Sequence, residues 1–218
     1  MKFPKWGLTA LAVCVVLGVL QFASNPNRVL APATPVATRA PTAAATLEAT
    51  TQVAACVPGV VTFAAEGFSA WFPCAPERVI RKANAVPFGE IQIITYQTTV
   101  DGVDYAAAYV NYADKLPAAA FDLAKVLVLD GAKRSLVRGQ PVTNPVYKDV
   151  TLGALSGVEV NAEGAEKALR GRVWVARQVT YQMVALYPKG YADQERITKF
   201  IEAFAVNLTS ATAIATSR

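Results

Sequence analysis

The chain has 218 residues, 53% of them hydrophobic and 17% charged, which is enough apolar material for one good-sized domain with a buried core. Its net charge of +5 gathers near the amino terminus. From Cys56 onward 17 basic residues face 15 acidic ones, so no phosphate-binding face is called for and no nucleic-acid partner is expected. Histidine is absent, which excludes Ser-His-Asp and Cys-His nucleophile activation, imidazole acid–base chemistry and most zinc sites.

Met1–Lys5 is a short basic lead, and Trp6–Ala23 is an uninterrupted uncharged stretch rich in Leu and Val. Its 18 residues sit at the short end of a membrane span and slightly above a typical signal-peptide apolar region. Lysines before it and none close after it orient the amino terminus toward the cytoplasm. A small-x-small cleavage site is poorly formed, since Gln21 and Ala23 flank one candidate and Pro32 follows the other at Ala31. Residues 1–23 therefore read as an uncleaved signal anchor in preference to a removed signal peptide, with the membrane as partner. Residues 24–55 interleave four prolines and six threonines with alanine and lack apolar periodicity, the composition of an extended, mobile tether. The expected localisation is a single-pass cell-membrane protein of a bacterium, its carboxyl-terminal domain outside the cytoplasm.

A globular domain is expected over residues 56–208, followed by a frayed tail at 209–218. Gly67–Pro73 reads as a short strand closed by proline, and Glu77–Val86 as a second, more polar one. Glu90–Thr99 and Val103–Tyr112 flank Asp101-Gly102, the strongest hairpin signal in the chain. After Pro117, Phe121, Ala124, Val128, Ala132 and Leu136 recur at three- and four-residue spacing and predict a helix. Val126-Leu-Val-Leu129 before Asp130-Gly131 competes with that reading as half a hairpin. Val142–Leu152 and Gly157–Asn161 are further strands, and a turn at residues 163–166 leads into the pair centred on Arg177-Gln178.

That pair, Arg170–Tyr187, organises the rest. A two-residue turn at Arg177-Gln178 sets Trp174 opposite Tyr181 and on one face with Val179 and Met183. Val173, Val175, Val184 and Leu186 share the other face. Apolar groups on both faces require a sheet covered on both sides. The second cover is Asp193–Val206, read as a helix with Asp193 as N-cap and an apolar stripe of Ile197, Phe200, Ile201 and Phe204. The fold class is thus α+β: an antiparallel sheet of about six to eight strands covered by two helices, an α/β/α sandwich behind an N-terminal membrane helix.

Several packing motifs together resemble a family. Gly67-Phe-Ser-Ala-Trp-Phe-Pro73, the hairpin ending in Tyr109 and Tyr112, Leu152-Gly153 with Gly157-Val-Glu159, the pair around Tyr181 and Phe200-x-x-x-Phe204 are similar to exported bacterial domains of the PsbP/Mog1-like group. The resemblance spans about residues 59–208, with Ser156 in place of an expected proline and Ala203 in place of serine. It implies an antiparallel sheet between helices, and accessory or binding roles within larger complexes.

Motifs that carry chemistry are scarce. Gly157 and Gly164 have the wrong spacing for a phosphate loop, and no Ser-x-x-Lys or Gly-x-Ser-x-Gly occurs. Asp101, Asp104 and Asp114 lie close in sequence, but the first two border a turn, where aspartates bind neighbouring backbone. Arg170 and Arg172 project to one face, where a cross-strand ion pair is favoured over an anion site. No catalytic residue, metal ligand or cofactor is assigned. Cys14 lies inside the apolar stretch, which leaves Cys56 and Cys74 as an even pair expected to form a disulfide outside the cytoplasm. Lipid attachment at Cys56 and two free thiols are the rival readings. The favoured function is a membrane-tethered extracytoplasmic accessory or binding module without catalysis; the alternative is an envelope hydrolase using carboxylates alone. An exposed apolar patch would favour the first, two carboxylates converging in a cleft the second.

Overall fold

Strands that are apolar on both faces need two covers, and the computed structural model, which describes residues 56–85 and 89–207, provides them unequally. Ten strands and two helices follow one another in the described chain. They are β1 (Gly59–Phe63), β2 (Phe68–Phe72), β3 (Glu77–Ala85), β4 (Gly89–Val100), β5 (Val103–Asn111) and α1 (Ala118–Val137). After them come β6 (Thr143–Leu152), β7 (Leu155–Glu163), β8 (Lys167–Ala176), β9 (Val179–Pro188), α2 (Gln194–Glu202) and β10 (Ala205–Val206). Seven strands form one sheet in the order β3-β4-β5-β9-β8-β7-β6, antiparallel at every pairing. A second sheet of three, β1-β2-β10, is antiparallel too. The α+β class therefore holds, with a small sheet added to the expected architecture. The expected membrane segment (1–23), tether (24–55) and tail (209–218) lie outside the described residues. Among those described, no helix is long and apolar enough to cross a membrane.

The central hairpin has the register that a two-residue turn dictates. Ala176 pairs with Val179, and Trp174 stands directly opposite Tyr181. Arg177 accepts a left-handed φ of 51°, the task that glycine or asparagine usually performs in such turns. The second predicted hairpin turn follows its sequence more conventionally, with Asp101 at φ 52° and Gly102 at φ 76°.

Each face of the large sheet has its own core. On one side Phe121, Val128, Ala132 and Leu136 of α1 pack against Val158, Val160, Leu169, Val173, Val175 and Val184. Gly171 lets this helix come close: a Cβ there would sit 3.0 Å from Leu136 Cδ1 and 2.9 Å from the Met183 carbonyl oxygen. The competing hairpin reading of Val126–Leu129 is thereby settled in favour of helix. On the other side Trp174, Tyr181, Met183, Tyr96, Tyr105 and Tyr109 meet Ile197, Phe200 and Ile201 of α2 and Phe63, Phe68 and Phe72 of the small sheet.

The last helix differs from expectation. Asp193 caps it, its side chain accepting from the Arg196 backbone N–H at 3.0 Å, and Glu195 occupies the first turn. The helix stops at Glu202, however, instead of running to Val206. Phe204 lies past its end, stacked on Trp174 with centroids 4.7 Å apart and planes within 10°. Ala205 and Val206 then pair with Ser69 and Phe68 of β2. Closing the small sheet and stacking on the indole outweigh another helical turn.

Candidate binding face on helix α1

The charged residues that could carry chemistry are held in structural pairs. Asp101, at the β4–β5 turn, receives Arg196 Nη1 at 2.6 Å, which ties that turn to the start of α2. Asp104 accepts from Thr99 Oγ1 at 2.7 Å across the same hairpin. Asp114 sits instead at the rim of a hollow of ≈ 310 Å³ with Lys115, Lys82, Glu90, Tyr109 and Asn111. Two cations and two anions line that hollow, and Lys82 is bonded to Glu90 at 2.9 Å. It offers no net charge to a ligand.

Arg170 and Arg172 do share a face, and the partner there is Glu159 of β7. Arg172 Nε donates to Glu159 Oε2 at 2.6 Å, Asn161 Nδ2 donates to Oε1 at 3.1 Å, and Arg170 Nε stands 3.5 Å from Oε1. Burial alone would raise the Glu159 pKa. The Arg172 and Asn161 hydrogen bonds and the two guanidinium charges outweigh burial and hold it below the usual carboxylate range. Glu202 of α2 lies 3.7 Å and 3.6 Å from the two guanidinium groups, and Arg170 Nη1 donates to Thr198 Oγ1 at 2.9 Å. The cluster thus fastens the end of α2 to the sheet with its charges internally balanced, and the expected cross-strand pair replaces an anion site.

Glu66 went unnoticed in the sequence because no motif surrounds it. It is buried in the β1–β2 connection, 3.4 Å from Arg78 Nη2, and its backbone carbonyl accepts from Tyr181 Oη at 3.3 Å. Like Glu159, it joins one layer to another. Asp130 on α1 is pulled below its usual pKa by the Lys133 hydrogen bond, against burial and with help from Arg134. Glu159 and Asp130, held ionised by their cations, lack the proton that a general acid must donate. Among the described residues no group of three or more Cys, Asp or Glu side chains is placed to hold a metal. Cys56 and Cys74 are joined in a disulfide with Cα atoms 4.7 Å apart, which pins the first described residue to the end of β2.

The uncommitted surface lies on the outer side of α1. Leu123 is 87% exposed, Val126 75% and Leu127 48%. With Ala119 they recur at i, i+4, i+7 and i+8, the spacing of a single helical face. Phe121, Val128, Ala132 and Leu136 turn the opposite side of the same helix into the core. Asp122 is exposed beside Leu123, and in the second half of the outer side Asp130 pairs with Lys133 and Arg134 at 2.9 Å each. Tyr147, on the exposed edge strand β6, lies beside it with Lys133 Nζ 5.2 Å from the ring centroid. A helix apolar on both sides is ordinarily enclosed on both sides. Among the described residues nothing covers this one. Compared with known proteins, the chain matches no protein-family model and no curated sequence.

Proposed function

We propose that the chain is a membrane-tethered, extracytoplasmic accessory or binding module that performs no catalysis of its own. Its α+β domain is read as PsbP/Mog1-like. The uncovered aliphatic stripe Leu123–Val126–Leu127 carries this reading, because a patch of large apolar side chains facing water stabilises nothing within the fold and is the ordinary mark of an interaction surface. The two buried acids point the same way, Glu66 being matched to Arg78 and Glu159 to Arg170 and Arg172. The Cys56–Cys74 bridge is compatible with an oxidising compartment outside the cytoplasm.

A photocrosslinking amino acid at position 123 or 126 of the full chain, in native membranes, tests the reading. Adducts are expected at these positions and absent at Glu195, an exposed residue of α2. Equal labelling at all three positions, or none at 123 and 126, would refute it.

A further inference from the structure

We propose that the outer stripe of α1 docks on the anionic surface of the bilayer to which the chain is tethered, its aliphatic side chains entering the headgroup–acyl boundary. The inference rests on the membrane-tethered reading above and names the partner of its binding face.

Three observations favour lipid over a protein groove. The first is the size of the contact. The stripe offers four residues, Ala119, Leu123, Val126 and Leu127, whereas a specific protein interface uses about 20–30 residues a side. A surface already held close by a tether needs little intrinsic affinity, since tethering supplies an effective concentration on the order of millimolar. The second is charge. Between Lys115 and Arg138 five basic residues face two acidic ones, a net of +3 in a domain that is otherwise close to neutral. Lys133 and Arg134, held to Asp130 at 2.9 Å in the free domain, have long stems that let their heads exchange that carboxylate for lipid phosphates while aliphatic neighbours sink deeper. The third is Tyr147 beside Lys133, an aromatic ring and a cation at the edge of the stripe, the pairing that suits a membrane–water boundary.

Geometry permits the contact. Cys56 is bonded to Cys74 at the end of β2, whereas α1 covers the opposite face of the large sheet. The 32 residues between Ala23 and Cys56 have a contour of at most about 105–115 Å. The layers to be passed, two sheets and a helix each about 10 Å apart, are far thinner than that. The domain can therefore lie on the bilayer with α1 beneath it.

The test uses the full chain with Cys14→Ser, so that an environment-sensitive dye can be placed by Val126→Cys while Cys56 and Cys74 stay bridged. The protein is reconstituted into lipid discs of phosphatidylcholine with roughly one-third phosphatidylglycerol, and into discs of phosphatidylcholine alone. Lipids carrying a doxyl quencher high on the acyl chain report contact. The expected result is several-fold stronger quenching at position 126 in the anionic discs, lost on raising salt and lost with Leu123→Gln plus Leu127→Gln. A dye at Glu195→Cys stays unquenched. Absence of lipid quenching in discs that do hold the protein overturns the docking proposal alone. Shielding of the dye from an aqueous quencher without lipid quenching overturns it as well, and assigns the face to a protein or a second copy of the chain. Failure of the chain to enter discs at all overturns the tethered reading together with the proposal.

Discussion

Trp174 is where removal of one side chain should do the most damage. The ring is 2% exposed, lies opposite Tyr181 in the central hairpin and stacks on Phe204, the residue at which α2 gives way to β10. Truncating a buried tryptophan to alanine costs about 3–5 kcal/mol through lost transfer energy and the cavity left behind. Two local terms adjust that range. The stack on Phe204 contributes about 0.5–1.5 kcal/mol beyond burial. Against it, the indole Nε1 is buried without a hydrogen-bond partner among the described residues, and deleting such a group recovers roughly 1–3 kcal/mol of desolvation penalty. The net expectation for Trp174→Ala is about 3 kcal/mol, equivalent to a fall in Tm of about 6–12 °C for a domain of this size. Trp174→Phe keeps most of the stack and removes the unpaired N–H, so it should stay within about 1 kcal/mol of the parent. Urea unfolding followed by far-ultraviolet circular dichroism measures both, through the midpoint at constant slope. A Trp174→Ala midpoint within about 0.5 kcal/mol of the parent would show the ring in water and refute the packing argument.

Three other expectations follow from the same contacts. Glu159→Gln leaves Arg170 and Arg172, each about one-fifth exposed, with only the half-exposed Glu202; breaking a buried pair costs about 3–5 kcal/mol, and partial solvation reduces that to about 1–2 kcal/mol at neutral pH. Because the folded-state pKa of Glu159 lies below its unfolded value, its contribution is full above the ordinary glutamate range and is lost as pH falls through the folded value. The gap between parent and variant should therefore close below about pH 4, and a gap unchanged into acid would count against the ion pair. Cys74→Ser opens a bridge between residues 18 apart and should lower stability by about 3 kcal/mol, read as a melting shift that reductant reproduces in the parent and leaves unchanged in the variant. Burial raises the pKa of Tyr105, Tyr109 and Tyr181, and pushes that of Tyr112 up to about 12; these groups stabilise the fold fully below about pH 10, an advantage lost as pH rises through their folded values. Tyrosinate absorbance should accordingly rise together with alkaline unfolding, and reversible ionisation of every tyrosine near pH 10 in a folded protein would show the phenols to be solvated.

Much of the architecture was legible because its signals are local. Asp101-Gly102 specifies a hairpin through left-handed backbone that both residues tolerate, and period-two alternation around Trp174 and Tyr181 assigns each side chain to a face. What escaped notice depends on contacts distant in sequence. Ala205–Val206, two residues long, is too short for periodicity to register, and both it and Gly59–Phe63 join the small sheet because β2 lies between them. No glycine or proline stands between Glu202 and Val206 to stop α2, so the apolar spacing of Ile197, Phe200, Ile201 and Phe204 reads as one continuous helix. The stop comes from Trp174, which is 30 residues earlier than Phe204 and takes that ring as its stacking partner.

The candidate site was less legible for a different physical reason. A stripe of apolar residues at helical spacing announces a surface that avoids water, but not what covers it. On α1 the run Leu123–Leu129 supplies two such stripes, and residues 100° apart along it go to opposite fates: Val128 is buried against the sheet, and Leu127 beside it is half exposed. Only placement on the sheet at Gly171 separates the stripe that builds the domain from the stripe that is left over. The same run looked like half a β-hairpin because an apolar residue at nearly every position erases the period that distinguishes the two structures. That ambiguity was itself informative. A helix that needed only to cover a sheet would carry polar residues at positions 123, 126 and 127, which is how α2 treats its own outer side at Glu195, Lys199 and Glu202. The contrast between the two helices at these positions, aliphatic on α1 and charged on α2, is what favours α1 over α2 as the proposed interaction surface.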